Sequence, residues 1–179
     1  MTGTNETATE TGISTVGTLL AHALRIEEDA EERYTMLADT MEVHNDPALA
    51  TLFRKFAGHE AHHAAEIRER MAGMVIPEFQ PWQFDWGSDE SPEAVDFTAV
   101  RQGMTARAAL DLALKAEQQA LDFFRRISAA AGDDELRRWA DEFAGEEAEH
   151  VRLVEREIAR LPAGEDAPGE DPDPPVEPS

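Results

Sequence analysis

Apolar residues return along this chain at steps of three and four in four separate stretches, the spacing that lines one face of an α-helix. From about Ile13 to Val43 the face carries Leu20, Ala23, Ala30, Tyr34, Leu37 and Met41. A second stretch begins near Asp46-Pro47, a cap and a first-turn proline, and runs to about Met71 with Leu49, Phe53, Phe56 and Ile67. A third spans about Thr105 to Ala131 with Leu110, Ala113, Ala120, Phe124 and Ile127. The fourth follows Gly132-Asp133-Asp134, stops before Pro162, and turns Leu136, Trp139, Phe143, Val154 and Ile158 inward. Short breaks join the first stretch to the second and the third to the fourth, so each pair predicts an antiparallel hairpin.

Between the hairpins, Ala72 to about Met104 holds Pro77, Pro81 and Pro92 with the aromatics Phe79, Trp82, Phe84 and Trp86. A connector of that length can run along a bundle, with its aromatics packed on the outside. The pattern predicts an all-α, ferritin-like antiparallel four-helix bundle made of two duplicated hairpins joined by a long crossover at about 72–104. Residues 1–12, rich in Thr and Glu, read as a disordered N-terminus. Residues 13–161 form the bundle, and 162–179, rich in Pro, Asp and Glu, read as a disordered acidic tail.

The duplication is written in the residues. Phe56-Ala57-Gly58-His59-Glu60-Ala61-His62-His63 returns 87 positions later as Phe143-Ala144-Gly145-Glu146-Glu147-Ala148-Glu149-His150, with six of eight positions identical. Glu27-x-x-Ala30-x-x-x-Tyr34 matches Glu117-x-x-Ala120-x-x-x-Phe124 at an offset of 90, and Asp46-x-x-Leu49 matches Asp133-x-x-Leu136 at 87. The second hairpin's turn is therefore shorter by three residues. Glu27, Glu60, Glu117 and Glu147 each interrupt an apolar face near its middle, and His63 and His150 follow two of them by three positions, on the same side of the helix.

Burying a lone carboxylate is costly enough that it prefers to keep its proton. Four together, uncompensated, would strain a domain whose whole stability is about 5–15 kcal/mol. Two divalent cations remove the difficulty, because four carboxylates and two neutral imidazoles around two such ions sum to zero charge. The inventory points to two iron ions, with manganese or zinc also compatible; oxygen and imidazole donors do not by themselves select the metal.

Composition narrows the chemistry. Among the 179 residues there is no cysteine, which removes disulfides, iron–sulfur clusters, rubredoxin-type iron and thiol catalysis. With 38 acids against 16 bases the formal charge is −22, and six of the acids lie in the tail from Gly164. Such a surface repels nucleic acid and anionic membranes and gathers cations, so neither is an expected partner. No signal peptide and no membrane-spanning run is visible, and a cytoplasmic location is expected.

The four motifs, in kind, order and spacing, resemble those of the rubrerythrin family within the ferritin-like superfamily, over about residues 13 to 161. The resemblance implies a di-iron oxidoreductase that reacts with hydrogen peroxide or dioxygen at Glu27, Glu60, His63, Glu117, Glu147 and His150. It also implies reduction by an external donor, a rubredoxin or a flavoprotein, and a homodimer. Two departures stand out. The family's best-known members carry a rubredoxin-like domain, for which this chain lacks the cysteines, and a further glutamate three residues after the third-helix ligand, where this chain has Ala120. Those departures put the familiar peroxidase turnover in question and leave two other readings: an iron-handling protein with ferroxidase, storage or transfer activity, and a non-catalytic metal-binding bundle.

Other residues carry weaker expectations. Glu28, Glu31, Glu32, Glu146 and Glu149 fall off the stripes and read as surface charges. His59 and His62 align with Glu146 and Glu149 and read as wet positions rather than members of an access path. His22 and His44 have no partner in the pattern. Tyr34, the single tyrosine, reads as a core residue whose hydroxyl orients a ligand carboxylate, in preference to a redox participant. Gly58 and Gly145 fit either close helix approach or inheritance from the duplicated hairpin. Trp82 and Trp86 read as packing or dimer contacts.

Overall fold

The computed structural model describes residues 12–87, 91–93 and 104–162. The disorder expected of residues 1–12 and 162–179 lies outside these, apart from Gly12 and Pro162, as does most of the crossover from 88 to 103. Four helices appear, with no strand among the described residues: α1 (Val16–Val43), α2 (Pro47–Met71), α3 (Ala106–Ala130) and α4 (Asp134–Ile158). A 3₁₀ turn at Pro81–Gln83 lies in the crossover.

Each helix begins where a short polar side chain satisfies free N–H groups. Thr15 accepts from Thr18 N–H at 3.1 Å, Asp46 from Leu49 at 3.0 Å and Thr105 from Ala108 at 3.1 Å. Asp133 Oδ1 accepts from both Glu135 and Leu136, at 3.0 and 2.9 Å. The turn from α1 to α2 depends on Asn45, which holds φ 59. With Asn45 in that left-handed conformation, its N–H reaches the Glu42 carbonyl at 3.1 Å and the Asp46 N–H reaches that of Met41 at 2.9 Å, closing the helix end.

α1 packs closely along α2 and α3 along α4, whereas the two hairpins meet chiefly through side chains. Those side chains form two apolar clusters. One gathers Leu19, Leu20, Ile26, Ile67, Phe123, Phe124, Ile127, Leu136 and Phe143, and the other Leu37, Met41, Leu49, Phe53, Phe56, Leu110 and Val154. On every helix the predicted acid falls between its residues of the two clusters, so a polar layer divides the core.

The crossover is anchored at its start. Gly17 admits the chain: a Cβ there would stand 2.5 Å from the Val75 carbonyl oxygen. His22, without a role in the sequence pattern, is 1% exposed and packs against Phe79, Phe84, Trp86 and Phe123. Its Nδ1–H donates to the Thr18 carbonyl at 2.8 Å while Nε2 accepts the Asp85 N–H at 3.2 Å. That arrangement fixes the neutral tautomer, and burial lowers the His22 pKa. Three of the four crossover aromatics thus pack as expected, but Trp82 is 80% exposed and stands apart.

Candidate metal centre

The polar layer assembles at mid-bundle as the stripes require. Glu27, Glu60, Glu117, Glu147 and His150 are only 1–7% exposed, and the His63 side chain is 22% exposed. Small buried residues one turn away on the same faces, Ala23, Ala30, Ala64, Ala113 and Ala120, flank the carboxylates. The His63 and His150 rings lie parallel, 5.1 Å between centroids.

Around His150 Nδ1 stand Glu117 Oε2 at 3.4 Å, Glu147 Oε2 at 3.6 Å and Glu60 Oε2 at 3.6 Å. Around His63 Nδ1 stand Glu27 Oε2 at 3.7 Å and Glu60 Oε2 at 3.8 Å. These separations exceed the roughly 2.7–3.2 Å of a good N–H···O bond. They are slightly wider than the ~3.0–3.4 Å that separates donors each about 2.1 Å from one ion. His63 Nδ1 is buried with no hydrogen-bond partner, which a ligand nitrogen explains and a structural histidine does not. Two triplets bring one donor atom each close enough to hold an ion: Glu60, His63 and His150, and Glu117, Glu147 and His150. Glu27 lies outside both and joins the layer beside His63.

Electrostatics show how the layer balances its charge with protons alone. Burial, with Glu147 nearby, holds the Glu27 carboxyl well above its ordinary value, and burial does the same for Glu60. Burial and the adjacent Glu117 raise Glu147 to about 8. At His150 burial works downward, but Glu117, Glu147 and Glu60 override it and hold the imidazolium at about 12. At Glu117 burial works upward, but His150, Arg33 and Tyr34 pull it down to about 2. Without cations, then, these pulls favour a charged pair of His150 with Glu117, and burial favours protons on the other carboxyls. The donor set of hard oxygens and imidazoles fits two divalent ions taking those protons' place.

Tyr34 meets the expectation of contacting a carboxylate of the layer: its buried hydroxyl donates to Glu117 Oε1, across the bundle. Burial, then Glu117, hold its pKa well above the usual phenol range, so it remains a donor.

The pattern analysis passed over Arg33 and Glu93. Arg33 Nη2 donates to Glu117 Oε1 at 2.8 Å, its guanidinium lies 4.4 Å from the Tyr34 ring centre, and its Nη1 forms a buried ion pair with Glu93 of the crossover. Arg33 was legible, since Ile26, Ala30, Arg33 and Leu37 continue one inner stripe. Glu93 follows no periodic pattern and gives no such signal.

Among the acids expected at the surface, Glu146 is only partly exposed and burial raises its pKa, because it borders the layer near His63. Glu28, Glu31, Glu32 and Glu149 are at least partly open to solvent. His59 and His62 are exposed, yet His59 also lines a narrow cleft with Phe56, Leu153, Val154, Glu60 and His150. Gly58 and Gly145 give no close approach: a Cβ at either would meet nothing within 4 Å. Inheritance from the repeat is the reading that remains.

The sequence model of the rubrerythrin family matches residues 18–158. A crystal structure of an uncharacterised conserved protein from Magnetospirillum magnetotacticum MS-1 is 34% identical, superposes with a TM-score of 0.67, and covers 83% of this chain and 96% of that one. No curated protein matches. None of the described helices is long and apolar enough to cross a membrane. With a doubled hairpin, a layer of four glutamates and two histidines, and a family match along most of its length, the chain belongs to the rubrerythrin family.

Proposed function

We propose that this protein is a di-iron oxidoreductase that reduces hydrogen peroxide or dioxygen and is itself re-reduced by an external rubredoxin or flavoprotein. Glu27, Glu60, Glu117 and Glu147 would hold the metals through oxygen, and His63 and His150 through nitrogen. Bound iron would supply the electrons, and for peroxide two electrons and two protons would balance cleavage of the O–O bond to two waters. The orphaned, buried Nδ1 of His63, facing Glu27 and Glu60, is the observation that most supports metal ligation.

The chain's own groups then have definite tasks. Tyr34 and Arg33 hold Glu117 from the opposite hairpin. The apolar clusters on either side exclude bulk water, which strengthens every electrostatic contact within the layer. The reading includes a cytoplasmic homodimer.

Anaerobic loading with Fe²⁺ followed by peroxide tests it. The expected result is oxidation of two irons per chain, repeatable only after adding a reductant. Oxidation of many irons per chain would instead assign the protein to iron handling, and bound iron that peroxide leaves unoxidised would assign it to a structural metal role.

A further inference from the structure

The hairpins repeat the ligand inventory but not what stands behind it. The offset of 90 that maps Glu27 onto Glu117 maps Arg33 onto Phe123 and Tyr34 onto Phe124. One half of the layer therefore has two buried donors where the other has two phenyl rings.

Both donors reach a single atom. Glu117 Oε1 accepts from Arg33 Nη2 at 2.8 Å and from the Tyr34 hydroxyl. Its two lone pairs are then occupied, and Oε2, 3.4 Å from His150 Nδ1, is the oxygen left for an ion. Arg33 is in turn the buried ion-pair partner of Glu93, with side chains 2% and 1% exposed. The pair carries no net charge, but it is oriented, with the guanidinium toward the metal layer and the carboxylate away from it.

We propose that Arg33, held and neutralised by Glu93, is a positioning residue that limits Glu117 to one-oxygen ligation and makes the Glu117–Glu147 position the weaker of the two metal positions. This rests on the two-metal reading above. A carboxylate oxygen that accepts two hydrogen bonds, one of them from a cation, offers less electron density to a metal and cannot swing to chelate it. The guanidinium also repels a divalent ion, and Glu93 damps that repulsion. Glu93 thus sets the strength of an asymmetry that Arg33 creates, and the crossover takes part in the metal site without supplying a ligand.

Cobalt(II) titration of the full chain after metal removal, followed by visible absorption and calorimetry, tests the proposal. The wild type should bind two ions in steps differing by tenfold or more. Glu93→Gln leaves the guanidinium unmasked and should weaken the second step by a further factor on the order of ten, with the first step changed less than about threefold. The double variant Arg33→Met, Glu93→Gln leaves no buried charge unpaired at this point, so it keeps the test available if the single variant does not fold. In it the gap between the two steps should shrink toward the statistical separation of two equal sites. Equal steps in the wild type, or variants that move both steps alike or neither, overturn this proposal alone. A wild type that binds no cobalt overturns the two-metal reading with it.

Discussion

Replacing Tyr34 by Phe removes one oxygen from a buried ring and leaves its packing in place. Tyr34 is 1% exposed, with its ring 5.2 Å from that of Phe56 and 6.0 Å from that of Phe53 between centroids, and the equivalent position in the other hairpin is already Phe124. No cavity opens, so the loss is the hydrogen bond to Glu117 Oε1. A hydrogen bond to a charged group contributes about 1.5–3 kcal/mol. Because Arg33 still donates to the same oxygen, no buried acceptor is stranded and the lower end applies, about 1.5 kcal/mol. For a chain of this size that corresponds to a Tm lower by about 3–6 °C. Thermal melts of the metal-free protein, followed by circular dichroism, measure it directly. Metal content should remain two ions per chain, with single-turnover oxidation of bound iron retained. A Tm unchanged to within about 1 °C would refute the buried hydrogen bond. Retained metal with abolished oxidation would refute the orienting role and make Tyr34 a redox participant.

Metal-free protein should lose stability as pH rises from about 5.5 to about 8.5. Glu147, at about 8, and Glu27 and Glu60, raised well above the ordinary carboxyl value, keep protons in the fold that the unfolded chain has released. His150, at about 12, adds the same sign above the ordinary imidazole value, and Glu117, at about 2, is ionised in both states and adds no slope. Melts in chelator that rise with pH would contradict this. With metal bound, ions replace those protons, so the Tm gap between loaded and metal-free protein should widen with pH. Gly58→Ala and Gly145→Ala, both into open space on helices, should each stabilise the protein by about 1 kcal/mol in denaturant titrations. Gly17→Ala should destabilise it, since its Cβ would press on the Val75 carbonyl; equal effects at the three positions would refute the distinction.

The helices and the buried layer of glutamates and histidines were legible because both depend on local spacing. A stripe at steps of three and four fixes which face is buried, and an acid placed within it must enter the core. The repeat then located the same acids twice. What sequence spacing does not contain is the partner of a buried charge. Arg33 could be seen on the stripe, but Glu93, which neutralises it, comes from an irregular connector 60 positions away whose approach is set by tertiary packing. His22 followed the inner stripe as well, yet its role emerges only when Phe79, Phe84 and Trp86 fold back over it. Trp82, read with that aromatic group, lies within the 3₁₀ turn at Pro81–Gln83 and is exposed. Glycine was uninformative at Gly58 and Gly145 and decisive at Gly17, where only the path of the crossover shows why a side chain is excluded.

Anomalous scattering from crystals loaded anaerobically with Fe²⁺, collected on both sides of the iron absorption edge, tests the metal layer most directly. Two peaks that vanish below the edge should appear among Glu27, Glu60, His63, Glu117, Glu147 and His150. A bundle centre without any peak, its side chains arranged as in the metal-free protein, would contradict the account.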